Sequence, residues 1–317
     1  MQQRPQAAST APLGVFASFA AGFSLLLTAP LPILVPVVTD AFLLTGPRIA
    51  PTSLAAPIAD AVAKAPNADP AITEVVTTWA ADGNLFAIVG WFVPSLVSGL
   101  DAVGITGFPR AATWTPTPGA ALLTVVALVV VAAILVMLFK TLAARVAAET
   151  TLLGDRLIAS VARNALHYLA FLGLMLLAAL ILIVPSGVLI AVLGLAGIDL
   201  APLVTFLLST LVIVGAVLFA FVAEAIASAG LGPIDAIRSS TRVVTGNVAP
   251  TLGLLLTSWI VLATTPQIVA RADSGAVGIA IAVLVYAFVA AGVAVARMIF
   301  YRERAGVSRA PTVTTVT

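Results

Sequence analysis

Cysteine is absent from the 317 residues, which excludes disulfides, thiolate metal sites and cysteine nucleophiles. Histidine occurs once, at His167, and an imidazole with no second ligand at a suitable spacing reads as an interfacial polar group rather than a metal ligand. Charge is scarce too: 9% of the residues are Asp, Glu, Lys or Arg, where an ordinary soluble domain has about 25%. The net charge is +2 with no basic block interleaved with aromatics, so nucleic acid is not an expected partner. The chain has no HExxH, no Gly-x-Ser-x-Gly, no phosphate-binding Gly-Lys-Ser/Thr loop and no second histidine for a Ser/His/Asp set. The expectation is a non-enzymatic protein without a cofactor or metal.

What the chain has in quantity is hydrocarbon: 61% of its residues are hydrophobic and the mean hydropathy is +1.18. Apolar runs of ~20 residues, the length that crosses ~30 Å of bilayer as a helix, recur along it. The fold class expected is all-α, a single polytopic membrane bundle of about six spans. They fall at about 29–46, 119–139, 165–190, 203–226, 248–270 and 276–299. The third run continues past Pro185 to Gly197, which leaves one kinked span or a span plus a half-helix open.

The stretch 13–46 is too long for one straight crossing and is punctuated by Pro30, Pro32 and Pro36. It divides into an interfacial helix, with Phe16, Phe19, Phe23 and Leu26 at helical spacing, and a span after it. The amino-terminal run has the outline of a cleavable signal, but is read as retained because its removal spoils the charge topology. Residues 47–118 form the one long segment outside the spans. Amphipathic helices are expected at "SLAAPIADAVAK" and "PAITEVVTTWAAD", with a third apolar stretch at "NLFAIVGWFVPSLVSGL". Trp79, Trp91 and Trp114 sit there, as headgroup-level anchors do, so the segment is expected to form a helical extracytoplasmic cap lying on one membrane face.

With both termini in the cytoplasm, eleven of the fifteen Lys and Arg residues fall on inner segments and four (Arg48, Lys64, Arg110, Arg271) on outer ones. This agrees with the positive-inside bias of a multi-pass cytoplasmic-membrane protein. The inner segment "GLGPIDAIRSSTRVVTGNVAPTLGLLL" (230–256) reads as a short elbow helix that starts at Gly232-Pro233 and ends at Gly246-Asn247. Ile234, Ile237, Thr241 and Val244 share one face, and Arg238 and Arg242, one turn apart, are candidate lipid-headgroup contacts beside it. The Leu-Gly openings at 13–14, 153–154 and 231–232 raise the prospect of a unit of surface helix plus hairpin used three times.

This stretch resembles the signature of the bacterial glycerophosphodiester phosphodiesterase membrane-domain and YciC-like families, a Gly-x-x-x-Ala-hydrophobic-Arg-x-Ser segment ahead of a span. Gly232, Ala236, Ile237, Arg238 and Ser240 carry the pattern. The resemblance implies a six-span inner-membrane bundle with cytoplasmic surface helices. It covers 27 residues, and Thr241 stands where an aromatic is usual. No segment resembles the catalytic domain behind the phosphodiesterase name.

Ionisable groups inside a bilayer are costly and are functional candidates by default. Asp40 falls near the middle of the first span, Glu224 in the inner third of the fourth and Arg297 near the inner end of the sixth. Asp40 and Glu224 either line a proton or cation path, or bond structurally to a neighbouring helix and to a cytoplasmic-surface arginine respectively. Two functions follow: an assembly, accessory or envelope-organising factor that works through membrane lipids and a protein partner docked on the 47–118 cap, or a transporter of a small solute or lipid with Asp40 as its midplane site.

Overall fold

The computed structural model describes residues 12–64, 70–102, 112–154, 156–196, 200–271 and 276–307. Arg4, Asp69, Arg110 and Arg309 lie outside them. The protein is an all-α polytopic membrane bundle. Five long apolar helical segments have the length and composition of membrane spans: α7 (Pro118–Ala147), α8 (Leu157–Leu195), α9 (Ala201–Leu218) continued by α10 (Val222–Ala229), α12 (Val248–Arg271) and α13 (Ala276–Ala305). A sixth forms if α1 (Val15–Thr28) and the following turn with α2 (Leu34–Thr45) count as one broken span, bent by 92°. The break has a local cause. Pro30 and Pro32 supply no amide hydrogen to continue α1, and the chain passes through a 3-10 turn at Leu31–Ile33 before α2 begins.

α1 packs on the bundle through part of the expected Phe16, Phe19, Phe23 and Leu26 face together with small residues beside it. Its bundle-facing residues are Ser18, Gly22 and Leu26, while Phe16 is 79% exposed. It runs antiparallel along α13: Leu13 receives a bond from Arg304 and donates to Glu303, Gly22 faces Ala296, and Phe23 packs on Phe288. A Cβ placed on Gly22 would lie 2.6 Å from the Ala296 nitrogen. Among membrane helices small residues face the partner, because close backbone approach supplies the attraction, and bulky apolar residues are equally comfortable in lipid.

The 47–118 insertion also departs from a cap lying on the surface. Two-residue strands β1 (Arg48–Ile49) and β2 (Thr113–Trp114) pair in parallel, Arg48 with Thr113 and Ile49 with Trp114, and bring its two ends together. Between them α3 (Thr52–Ala63) packs on α4 (Pro70–Asp82). Arg48 ties the base, donating from Nε to the Gly83 carbonyl at 3.0 Å, and the Asn84 side chain accepts from the Ile49 amide at 3.1 Å. The next two helices enter the bundle. α5 (Ala87–Phe92) lies along α7, with Leu85, Ile88 and Val89 against Leu128 and Ala132. α6 (Leu96–Ala102) packs with α12 and α13, Leu96 and Leu100 against Val283, Tyr286 and Ala290. Val93, in the turn between them, is fully buried in the main core with Leu26, Phe139 and Phe221. The apolar 84–100 stretch is thus a hairpin inserted into the protein, the setting in which short non-spanning backbone is tolerated at depth.

α8 runs through Pro185 as one helix of 39 residues, with no half-helix break. At ~1.5 Å per residue it is roughly 58 Å long, well beyond the hydrocarbon thickness. Its most apolar stretch is buried nowhere, and α9 has no buried residue. Both helices are held at one end only, where α8 packs on α7, α10 and α11 (Pro233–Gly246). The core is concentrated around α7, α10, α13 and α1. In α11 the buried face is Ala236, Ser240, Val243 and Val244, whereas Ile234 is exposed. Of the face expected from Ile234, Ile237, Thr241 and Val244, Val244 is buried and Ile237 packs on the core, while the centre of the buried side is shifted toward Ala236, Ser240 and Val243.

Candidate functional site

Two buried polar clusters and one exposed pair account for the candidate residues. Asp40 sits on α2, which approaches the inserted hairpin, and has no exposed surface. Its Oδ1 accepts from the Ser95 hydroxyl at 2.5 Å and the Val97 amide at 3.2 Å, and its Oδ2 accepts from the Leu96 amide at 3.0 Å. These are orphan amide donors of the first turn of α6, which no carbonyl within that helix can satisfy. Asp40 thus supplies in trans, from a distant helix, the capping that Asp, Ser or Asn usually provides from the preceding residue. Both carboxylate oxygens are engaged, and the groove beside α2 is lined by Leu34, Val38, Phe42 and Leu135 rather than by Asp40.

The second cluster joins three helices. Glu224 on α10 is fully buried, and its Oε1 meets Lys140 Nζ of α7 at 2.7 Å and Arg297 Nε of α13 at 2.9 Å. Arg297 also donates through Nη2 to the Ala220 carbonyl and lies over the Phe221 ring, 5.7 Å from its centroid. Two cations share one carboxylate, so the cluster carries a net charge of +1. Of the two readings the sequence left open for Glu224, a proton or cation path and an ion pair with an arginine, the structure shows an ion pair with Arg297, and it adds a second cation, Lys140, from another helix. Lys140 escaped attention because it ends a long apolar run, where it reads as a boundary residue. Its place on the α7 face turned toward α10 was the available signal.

The α9–α10 break at residues 219–221 exposes backbone groups that α11 satisfies. Ser240 Oγ donates to the Leu218 carbonyl at 2.7 Å and accepts from the Phe221 amide at 3.1 Å. Ser239 shares a 2.7 Å hydrogen bond with Tyr301, and His167 Nδ1 lies 3.0 Å from the Leu231 carbonyl. Within the 232–240 pattern, Ala236 and Ser240 have no exposed surface and fasten α11 to the bundle, while Arg238 and Arg242 are exposed. Arg238 pairs at the surface with Asp235 at 3.3 Å. Gly232 and Gly14 begin their helices with nearly the same extended backbone, φ −66° and −65°. At the third Leu-Gly opening the residue that precedes α8 is Arg156, φ −103°, rather than the glycine.

Among the described residues, no group of three or more His, Asp or Glu side chains is placed to hold a metal ion. Trp79, Trp91 and Trp114 are exposed on the insertion. The class defined by this architecture is a multi-pass helical membrane protein whose buried charges join helices. Compared with protein-family models, curated proteins and solved structures, the chain matches none.

Proposed function

We propose that the chain is a non-enzymatic accessory or assembly factor of the cytoplasmic membrane, with both termini in the cytoplasm, that associates with another membrane protein and with lipid. The observation carrying this reading is the hairpin of α8 and α9. Its arm α8 is longer than the hydrocarbon is thick, so apolar residues at its outer end such as Leu195, 92% exposed, extend past the lipid tails and suit packing on a partner. The buried polar groups support it further. Asp40 is committed to capping α6 and Glu224 to two cations, so they serve the fold rather than a solute path. The exposed Ile58, Val75 and Trp91 of the 47–118 insertion offer a second contact surface. Arg238 and Arg242 are assigned to phosphate headgroups of the inner leaflet, and the motif resemblance at 230–256 accords with a bundle of this kind.

The test is extraction of the tagged protein from its native membrane in mild detergent, followed by native mass spectrometry. A protein partner at fixed stoichiometry, lost when exposed residues such as Leu180 and Phe206 are changed to Ser, supports the reading. A lone chain that transports a solute after reconstitution, with transport abolished by Asp40→Asn, defeats it.

A further inference from the structure

A second groove lies between α9 and α12 and is independent of the accessory-factor reading. Its volume is about 960 Å3. Ile213, Ala216 and Val217 form one wall, and Leu252, Leu256 and Trp259 the other. α9 and α12 run in opposite directions, so the groove extends along the helices from Ala220 and Leu252 toward Ile213 and Trp259. Arg297 is the single charged residue in its lining. That guanidinium belongs to the cluster with two cations and one carboxylate. Among the described residues its one hydrogen bond runs from Nη2 to the Ala220 carbonyl, while Nε meets Glu224 as an ion pair without a hydrogen bond and Nη1 donates to no acceptor. An unbalanced positive charge beside hydrocarbon is expensive, and an anion brought to the groove's Arg297 end balances it.

We propose that the α9–α12 groove is a binding site for an anionic phospholipid, with its phosphate at Arg297 and an acyl chain along the α9 and α12 walls. The apolar walls require a chain, and the charge requires an anionic head. A free phosphate satisfies only the second, and a zwitterionic lipid supplies a chain and a phosphate whose charge its own ammonium cancels. α11 joins the two halves of the site at the Arg297 end, packing against both α9 and α12.

The experiment titrates the purified full chain in detergent with phosphatidylglycerol and, separately, phosphatidylcholine, counting bound lipids by native mass spectrometry. One phosphatidylglycerol is expected to bind about tenfold more tightly than phosphatidylcholine, the ratio of one charge-assisted contact. Ala216→Trp, which fills the groove from an exposed position without touching the ion cluster, is expected to abolish that binding while leaving thermal unfolding unchanged. Lys140→Met, which makes the cluster neutral, is expected to erase the preference for the anionic lipid. Equal binding of the two lipids, retention of phosphatidylglycerol by Ala216→Trp, or displacement of it by glycerol phosphate at millimolar concentration overturns the proposal.

Discussion

Asp40, Glu224 and Ser240 are polar side chains whose value lies in the backbone or charges they satisfy. Replacing Asp40 by Ala orphans three donors inside the bundle; with about 1–3 kcal/mol for each unsatisfied group, the loss is expected to be about 3 kcal/mol or more. Asp40→Asn keeps one acceptor oxygen and is expected to lose less. Thermal unfolding followed by tryptophan fluorescence in detergent measures both. At the ion cluster the order of two variants is the informative result. Glu224→Gln leaves Lys140 and Arg297 without a counter-ion and is expected to cost about 3–5 kcal/mol, whereas Lys140→Met leaves one balanced pair and is expected to cost clearly less. Equal losses would mean that the two cations do not share the carboxylate. Ser240→Ala, which strips both backbone partners at the α9–α10 break, is expected to cost about 1–3 kcal/mol.

Whole helices follow packing logic rather than hydropathy. α1 and α11 each bury part of the apolar face that the sequence offers, Leu26 and Val244, together with small residues beside it, Gly22 and Ala236. Gly22→Leu is therefore expected to part α1 from α13, because its Cβ alone would meet the Ala296 backbone. Phe16→Leu, on the exposed face, is expected to change nothing measurable. A cysteine pair placed at Phe23 and Phe288, whose rings lie 5.6 Å apart, would report the separation as a loss of cross-linking in the Gly22→Leu background. The helix break after α1 was readable from Pro30 and Pro32, since proline removes the amide that continues a helix. Pro185 carried the same local signal and left α8 unbroken, so proline marks where a helix is able to break, and neighbouring contacts decide whether it does.

For the molecule as a whole, the orientation predicts which end a membrane-impermeant reagent reaches. Ser239 is unsuited as a labelling site because it bonds Tyr301. Exposed Thr245 on α11 and Asp60 on α3 are better positions in a chain without native cysteine. In intact cells a cysteine at Asp60 is expected to label and one at Thr245 is not; the reverse pattern would invert the bundle and place Arg238 and Arg242 outside.

Composition and run length were enough to read an all-α membrane bundle, because lipid offers no hydrogen bonds and every long apolar run must satisfy its own backbone as a helix. The approximate place of the five long spans was legible for the same reason, and Asp40 and Glu224 stood out because charge in such a chain is rare and costly. Hydropathy carries no information about which apolar face meets protein and which meets lipid, since the two environments are alike to a leucine. Tertiary contact alone therefore decided that α1 lies along α13, that 84–100 enters the bundle, that Asp40 caps α6 from 55 to 57 residues away, and that Lys140 and Arg297 converge on Glu224.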